Sequence, residues 1–206
     1  HMAVLFPFEQ EIYEKADVAV TCVGHPLVDA VHTQLSKTAA REKFSLDKDI
    51  RVIGLFPGSR RSEISVLLPV MLEAAERIEK RHFPIQIVIP QAPGIDESFL
   101  QQYLAGSCLN VRVIKDDFYE VIQACDAIVA ASGTVTLEIA LLGVPHFITY
   151  KVSPWSYRIL KRLVKIPYVG LCNIVTKQPV IKELLQDDVT PCLLYTSDAA
   201  DDLLCV

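Results

Sequence analysis

From residue 51 onward the chain alternates short, nearly unbroken apolar runs with longer stretches of helical spacing. This alternation narrows the possible folds more than any other feature. Apolar, β-branched-rich runs predict strands at 51–56, 85–90, 110–115, 126–131 and 145–150. Helices are predicted at 62–81, 96–105, 117–124, 134–142, 154–165 and 179–186. In the first, Ile64, Leu67, Leu68, Met71, Ala75 and Ile78 fall on one face. Apolar strands separated by helices mean a parallel sheet buried on both faces, with right-handed crossovers: an α/β, doubly wound fold. Before residue 51 the pattern is weaker. Val4-Leu5-Phe6 reads as a strand end closed by Pro7, and Asp17–Val23 as a second apolar run broken by Gly24-His25-Pro26. Residues 27–50 hold short helical stretches and a polar crossing, Lys37 to Asp49, expected to be a boundary or linker.

Ligands of such sheets lie beyond the carboxyl ends of the strands, so the strand-to-helix loops hold the candidate sites. In the first loop Pro57 ends a strand, Gly58 permits close backbone approach, and Ser59-Arg60 lead into a helix. The helix start offers free N–H groups and the positive end of a dipole, and Arg60 a permanent planar cation. That set suits a diphosphate; a plain turn with solvated arginines is the alternative. It is neither a P-loop nor a dinucleotide fingerprint, which disfavours ATP and NAD. The second loop is ASGTVTLEIALLGVP, with Ser132 as a good N-cap and Gly133 again permitting approach. Glu138 lies one turn into that helix among apolar residues, where an unpaired carboxylate is costly. A ribose diol would satisfy it, and so would local backbone or solvent.

Charge and cysteine usage exclude other classes. The net charge of −5 argues against general nucleic-acid binding. The six cysteines form no Cys-x-x-Cys pair and no zinc-like cluster, so they read as reduced thiols of a cytosolic protein, and no metal or cofactor is expected. No apolar run reaches the length of a membrane span, and no signal peptide is visible.

Several motifs in order resemble the carboxyl-terminal half of the lipid-A-disaccharide synthase family. They are VLFPFE (4–9), VGHPLVD (23–29), FPGSR with Glu63 following, ASGTVTLE (131–138), LKRLVK (160–165), and LCNIV with KELLQ after it. Cys172 stands where the family pattern suggests proline. The resemblance implies one Rossmann-like half of a two-domain GT-B inverting glycosyltransferase. Its substrates would be UDP-2,3-diacylglucosamine and 2,3-diacylglucosamine 1-phosphate, and its products the lipid A disaccharide precursor and UDP. It implies a UDP-sugar site of Gly58, Ser59, Arg60, Glu63, Ser132, Gly133, Thr134, Glu138 and Asn173, with Glu138 on the ribose. It further implies residues 1–35 as the end of an amino-terminal domain and crossing, and 36–191 as the nucleotide-sugar domain. The proposed catalytic acid of the family precedes His1, so no catalytic residue is assigned. A homodimer of the whole protein is also implied. The alternatives are another UDP-sugar enzyme of this architecture (a 2-epimerase or a peptidoglycan-type transferase) and a non-catalytic nucleotide-binding module.

Other residues carry two readings each. His25 and Asp29 read as hinge residues of the crossing, with a catalytic role as the alternative. Phe118 and Tyr119 either flank a uracil or pack in the core, and Glu183 and Gln186 either support the nucleotide loop or line a solvated helix face. Residues 151–168 hold five cations and no acid, with Trp155, Arg158, Lys161, Arg162 and Lys165 as the expected membrane contact; a core helix with solvated lysines is the alternative. Acylated substrates and a basic helix imply a cytoplasmic protein held peripherally on the inner face of the cytoplasmic membrane. Residues 192–202 resemble a translated sequencing adapter, so the natural sequence is expected to stop near Pro191 and 192–206 to be a non-native tail; a genuine carboxyl-terminal helix is the alternative.

Overall fold

A computed structural model of the chain describes residues 1–81, 84–152, 157–158, 162 and 167–192. Its main body is a six-stranded, all-parallel sheet. The elements are β3 (Arg51–Phe56), α4 (Arg61–Arg81), β4 (Ile85–Pro90), α5 (Glu97–Leu104), β5 (Asn110–Ile114), α6 (Phe118–Ala124), β6 (Ala127–Ala131), α7 (Thr134–Leu141), β7 (His146–Tyr150), α8 (Leu171–Thr176) and β8 (Glu183–Leu185). The strand order is β5-β4-β3-β6-β7-β8. The chain runs outward from β3 to one edge, returns through α6 to the centre, and runs outward to the other. The switch point therefore lies between β3 and β6, where Ile53 pairs with Ala127 and Phe56 with Ala130.

The apolar runs build two cores because alternate residues of a strand point to opposite faces. Ile53, Leu55, Ile87 and Ile89 pack with Leu67, Leu68 and Met71 of α4 and Leu100 of α5. Val52, Phe56, Val88 and Ile128 pack with Ile122 of α6 and Ile139 of α7. Removing such a fully buried side chain costs about 2–5 kcal/mol. The helical face predicted for α4 is the buried one.

Ahead of the sheet stand β1 (Met2–Val4), α1 (Pro7–Lys15), β2 (Val20–Cys22), α2 (Leu27–Ala30) and α3 (Lys37–Lys43). β1 and β2 form a separate parallel pair. Pro7 opens α1 instead of merely closing a strand: its fixed φ suits the first helical position, and Glu9 reaches back to accept from the Leu5 and Phe6 amides at 3.1 and 2.9 Å.

The expected linker at Lys37–Asp49 is not one. Ser36 caps α3 through the Ala39 amide at 3.2 Å, and α3 packs against α6 with Ala40 in the core and a charged network beside it. Arg41 is 8% exposed, donates from Nε to Ala124 O at 3.1 Å and from Nη1 to Lys48 O at 3.0 Å, and pairs with Asp126 at 2.5 Å. Asp126 also meets Lys37 at 2.6 Å and accepts from the Val52 amide at 2.8 Å. A buried guanidinium with three acceptors is a built feature; a polar sequence alone looks like a linker.

The helix expected at 179–186 is also corrected. Its centre is β8, followed by a 3₁₀ turn at Gln186–Asp188, because Leu184 completes the sheet core and Glu183 pairs with Ile148. The short α8 went unpredicted. Of the helix expected at 154–165, Tyr157, Arg158 and Arg162 are helical. Trp155, Lys161 and Lys165 lie outside the described residues, as do residues 193–206.

Candidate functional site

At the carboxyl end of β3 the chain turns sharply into α4. Gly58 has φ 109°, and a Cβ there would lie 2.4 Å from Glu63 Oε2. The close approach that glycine permits is thus made by a residue of the same chain. Glu63, in the first turn of α4, folds back over the loop. Its Oε2 accepts from the Ser59 and Arg60 amides at 3.1 and 3.3 Å, and its Oε1 from the Arg60 guanidinium at 2.7 Å. The amides and cation expected to face a bare diphosphate site are held by this carboxylate, which caps the helix and suits its positive end. Arg60 remains 76% exposed, so its ion pair is weak. Arg61 turns away, pairing with Asp96 at 2.5 Å and stacking over Phe99 at 4.7 Å.

At the carboxyl end of β6 the loop is built differently. The N-cap of α7 is Gly133, in extended conformation, and no side chain caps it. Ser132 is not the cap: its amide donates to Thr149 O at 2.8 Å and its hydroxyl to Val169 O at 3.4 Å, which ties the loop to the segment before α8. The Gly133 carbonyl receives both the amide and the hydroxyl of Thr136, at 3.2 and 2.8 Å. Among the described residues nothing accepts from the amides of Thr134 and Val135. These orphan donors and the dipole behind them attract an anion.

Glu138 stands one turn further along α7. Tyr119, the second residue of α6, donates its hydroxyl to Glu138 Oε1 at 3.3 Å. Burial raises the Glu138 carboxyl above its ordinary value, although the Tyr119 bond and the charge of His25 pull it down. The Tyr119 phenol is raised too, by burial and then by Glu138. His25 itself is held locally: its turn is set by Gly24 at φ 82°, its Nδ1 accepts from the Leu27 amide at 3.1 Å, and its ring lies 5.1 Å from that of Phe6. Phe118 packs its edge against Phe56 at 5.8 Å. Nothing in the sequence flagged the pairing of Tyr119 with Glu138, since the two belong to different helices.

Asn173, named for the nucleotide-sugar site by the resemblance, is an interior residue. It is 0% exposed, with Nδ2 donating to Ile181 O and Glu183 Oε1, each at 2.7 Å, and Oδ1 accepting from the Ile181 amide at 2.9 Å. Glu183 in turn accepts from the Val169 and Gly170 amides at 2.8 and 3.0 Å. Gln186 clamps Val152 in both directions, at 2.6 and 3.1 Å. All three residues fix the loops that flank Ser132. A cleft of about 530 Å³ along the β5 edge, lined by Lys43, Arg112, Lys115 and Asp117 among others, includes none of these groups. Among the described residues no group of three or more His, Cys, Asp or Glu side chains gathers as a metal site.

The fold is that of a Rossmann-like half of the GT-B glycosyltransferases. The *E. coli* ADP-heptose lipopolysaccharide heptosyltransferase II matches with TM-score 0.59 over 84% of this chain and 52% of its own, at 15% identity. A glycosyltransferase of Rickettsia africae matches with TM-score 0.58 over 98% and 52%, at 10% identity. At such identities the likeness is one of fold alone. Sequence takes the assignment further: the chain belongs to the lipid-A-disaccharide synthetase family, whose model matches residues 1–200. Lipid-A-disaccharide synthase of Geobacter sulfurreducens is 50% identical over 189 residues, which is 92% of this chain and 49% of that protein. The Coxiella burnetii (strain Dugway) protein of the same name is 44% identical over 191 residues, 93% and 50%. The chain spans about half the length of the curated relatives it matches.

Proposed function

We propose that this chain is the nucleotide-sugar-binding half of an inverting glycosyltransferase. The enzyme would move 2,3-diacylglucosamine from UDP to 2,3-diacylglucosamine 1-phosphate and release UDP and the lipid A disaccharide precursor. One observation carries the reading: Glu138 stands one turn inside the uncapped start of α7, at the switch point of a parallel sheet, in a chain of this family. Ligands of such sheets settle there. The Thr134 and Val135 amides would receive the diphosphate, whose negative charge grows as the sugar departs. Preorganised dipoles are worth most against charge that develops in the transition state. Arg60 would leave its weak pair with Glu63 and turn its guanidinium to the same oxygens, with Gly58 and Ser59 shaping the loop. Glu138 would accept from the ribose. Glu63, Ser132, Gly133 and Asn173 would act by holding these loops in place.

The domain limits proposed are 1–35 for the end of a preceding domain and 36–191 for this one. No helix among the described residues is long and apolar enough to cross a membrane. Acylated substrates and the basic segment support peripheral attachment at the cytoplasmic face, through Trp155, Arg158, Lys161, Arg162 and Lys165, and the whole protein is proposed to be a homodimer. The test is calorimetric titration of UDP into the chain and into its Glu138→Ala and Arg60→Ala variants. Loss of one charge-assisted hydrogen bond weakens binding about tenfold to a hundredfold. No binding of UDP, or equal binding by wild type and Glu138→Ala, overturns the assignment.

A further inference from the structure

We infer that Tyr119 is a positioning residue for Glu138: its phenol holds one carboxylate oxygen and leaves the other facing the ribose. This rests on the reading of Glu138 given above. A glutamate on a helix surface has three side-chain torsions, and fixing them on ligand binding costs entropy. Here the fixing is done beforehand. The Tyr119 hydroxyl lies 3.3 Å from Oε1. Tyr119 is itself held, since its ring lies 5.9 Å from Phe118, which packs edge-on against Phe56 at the end of β3. Asp117, in left-handed conformation at φ 61°, starts α6, and its carboxylate pairs with Lys43 at 2.7 Å. A carboxylate that spends one oxygen on a phenol keeps lone pairs on the other for an incoming hydroxyl.

The groups that act on Glu138 are Tyr119 from α6 and His25 from the crossing. Burial pushes the carboxyl up and the Tyr119 bond pulls it down. Without that bond the carboxyl protonates at higher pH, so the acid limb of ligand binding moves upward.

The experiment titrates UDP, and a UDP analogue lacking both ribose hydroxyls, into wild type, Tyr119→Phe, Glu138→Ala and Glu138→Asp across a pH series. Tyr119→Phe keeps the ring and its packing, and is expected to bind UDP about three- to tenfold more weakly. It should bind the analogue like wild type and lose UDP affinity at a higher pH. Glu138→Asp, whose shorter carboxylate retreats from the phenol, should weaken UDP binding at least as much and leave the analogue unaffected. If Tyr119→Phe changes both ligands equally, or neither, while Glu138→Ala still weakens UDP, the positioning role is wrong and the ribose assignment stands. If Glu138→Ala binds UDP like wild type, the ribose assignment fails and the inference falls with it.

Discussion

Replacing Asp126 by alanine tests whether α3 belongs to this domain. The substitution leaves Arg41 buried with two carbonyl acceptors and no counterion, and it orphans the Val52 amide. Removing one partner of a buried ion pair costs about 3–5 kcal/mol. The Asp126 side chain is 23% exposed, so water enters part of the vacated space, and about 2–4 kcal/mol is the expected loss. That is a large share of the roughly 5–15 kcal/mol that holds a domain folded. Lys37, whose side chain is 44% exposed, makes the same carboxylate its partner from solvent, and Lys37→Ala should cost under about 1 kcal/mol. Urea unfolding followed by circular dichroism measures both. The pH dependence has a definite sign. Burial alone would raise the Asp126 carboxyl, but Lys37, the Val52 amide and Arg41 outweigh it and hold it below the ordinary carboxylate value. The stabilisation is therefore present above about pH 4 and lost as pH falls through the lowered value. A loss below about 1 kcal/mol, or one no larger than that of Lys37→Ala, would show that the network does not anchor α3.

Gly58→Ala meets both a left-handed φ and the Glu63 carboxylate, so it should destabilise the chain by about 1–3 kcal/mol, and an unchanged melting temperature would refute the crowding at Gly58. His146 is 9% exposed, with Nδ1 on Val144 O; burial holds its imidazole below the ordinary value although hydrogen bonding to the Val144 and Thr136 backbone pulls the other way. The unfolded chain therefore takes up the proton first, and the stabilisation present above about pH 6.5 is lost as pH falls toward the lowered folded value. Melting curves over that range should fall more steeply for wild type than for His146→Phe, and parallel curves would contradict this.

The sheet was legible because its central strands are apolar on both faces: the run 52–56 is buried throughout, and all five predicted strands fall within a residue or two of those observed. Legibility failed where polar residues are spent inside the fold. Lys37–Lys43 reads as solvated because its partner Asp126 lies about 85 residues away. Glu183-Leu184-Leu185 fits a helix by spacing, and only its pairing with β7 makes it a strand. Sequence placed Gly58 and Arg60 in the turn between β3 and α4 and Glu138 inside the helix after β6, and the structure has them there. It could not tell that Glu63 already occupies the amides of the first loop, nor that Asn173 is sealed beneath the second, because both facts depend on side-chain direction.

The central junction of the sheet sets an order on how the chain assembles. β3 pairs with β4 across one helix, as does β6 with β7. The β3–β6 seam instead joins residues 74 apart, fastened where Asp126 accepts from the Val52 amide and returns its own N–H to the Val52 carbonyl at 2.8 Å. Closing a loop of that length costs about 2 kcal/mol more than closing one of ten residues. Each flank can nucleate locally, but neither gains the shared interior until the seam closes. The step that joins the flanks is the same step that brings the β3 and β6 loops side by side, so the candidate site comes into being only when folding is nearly complete.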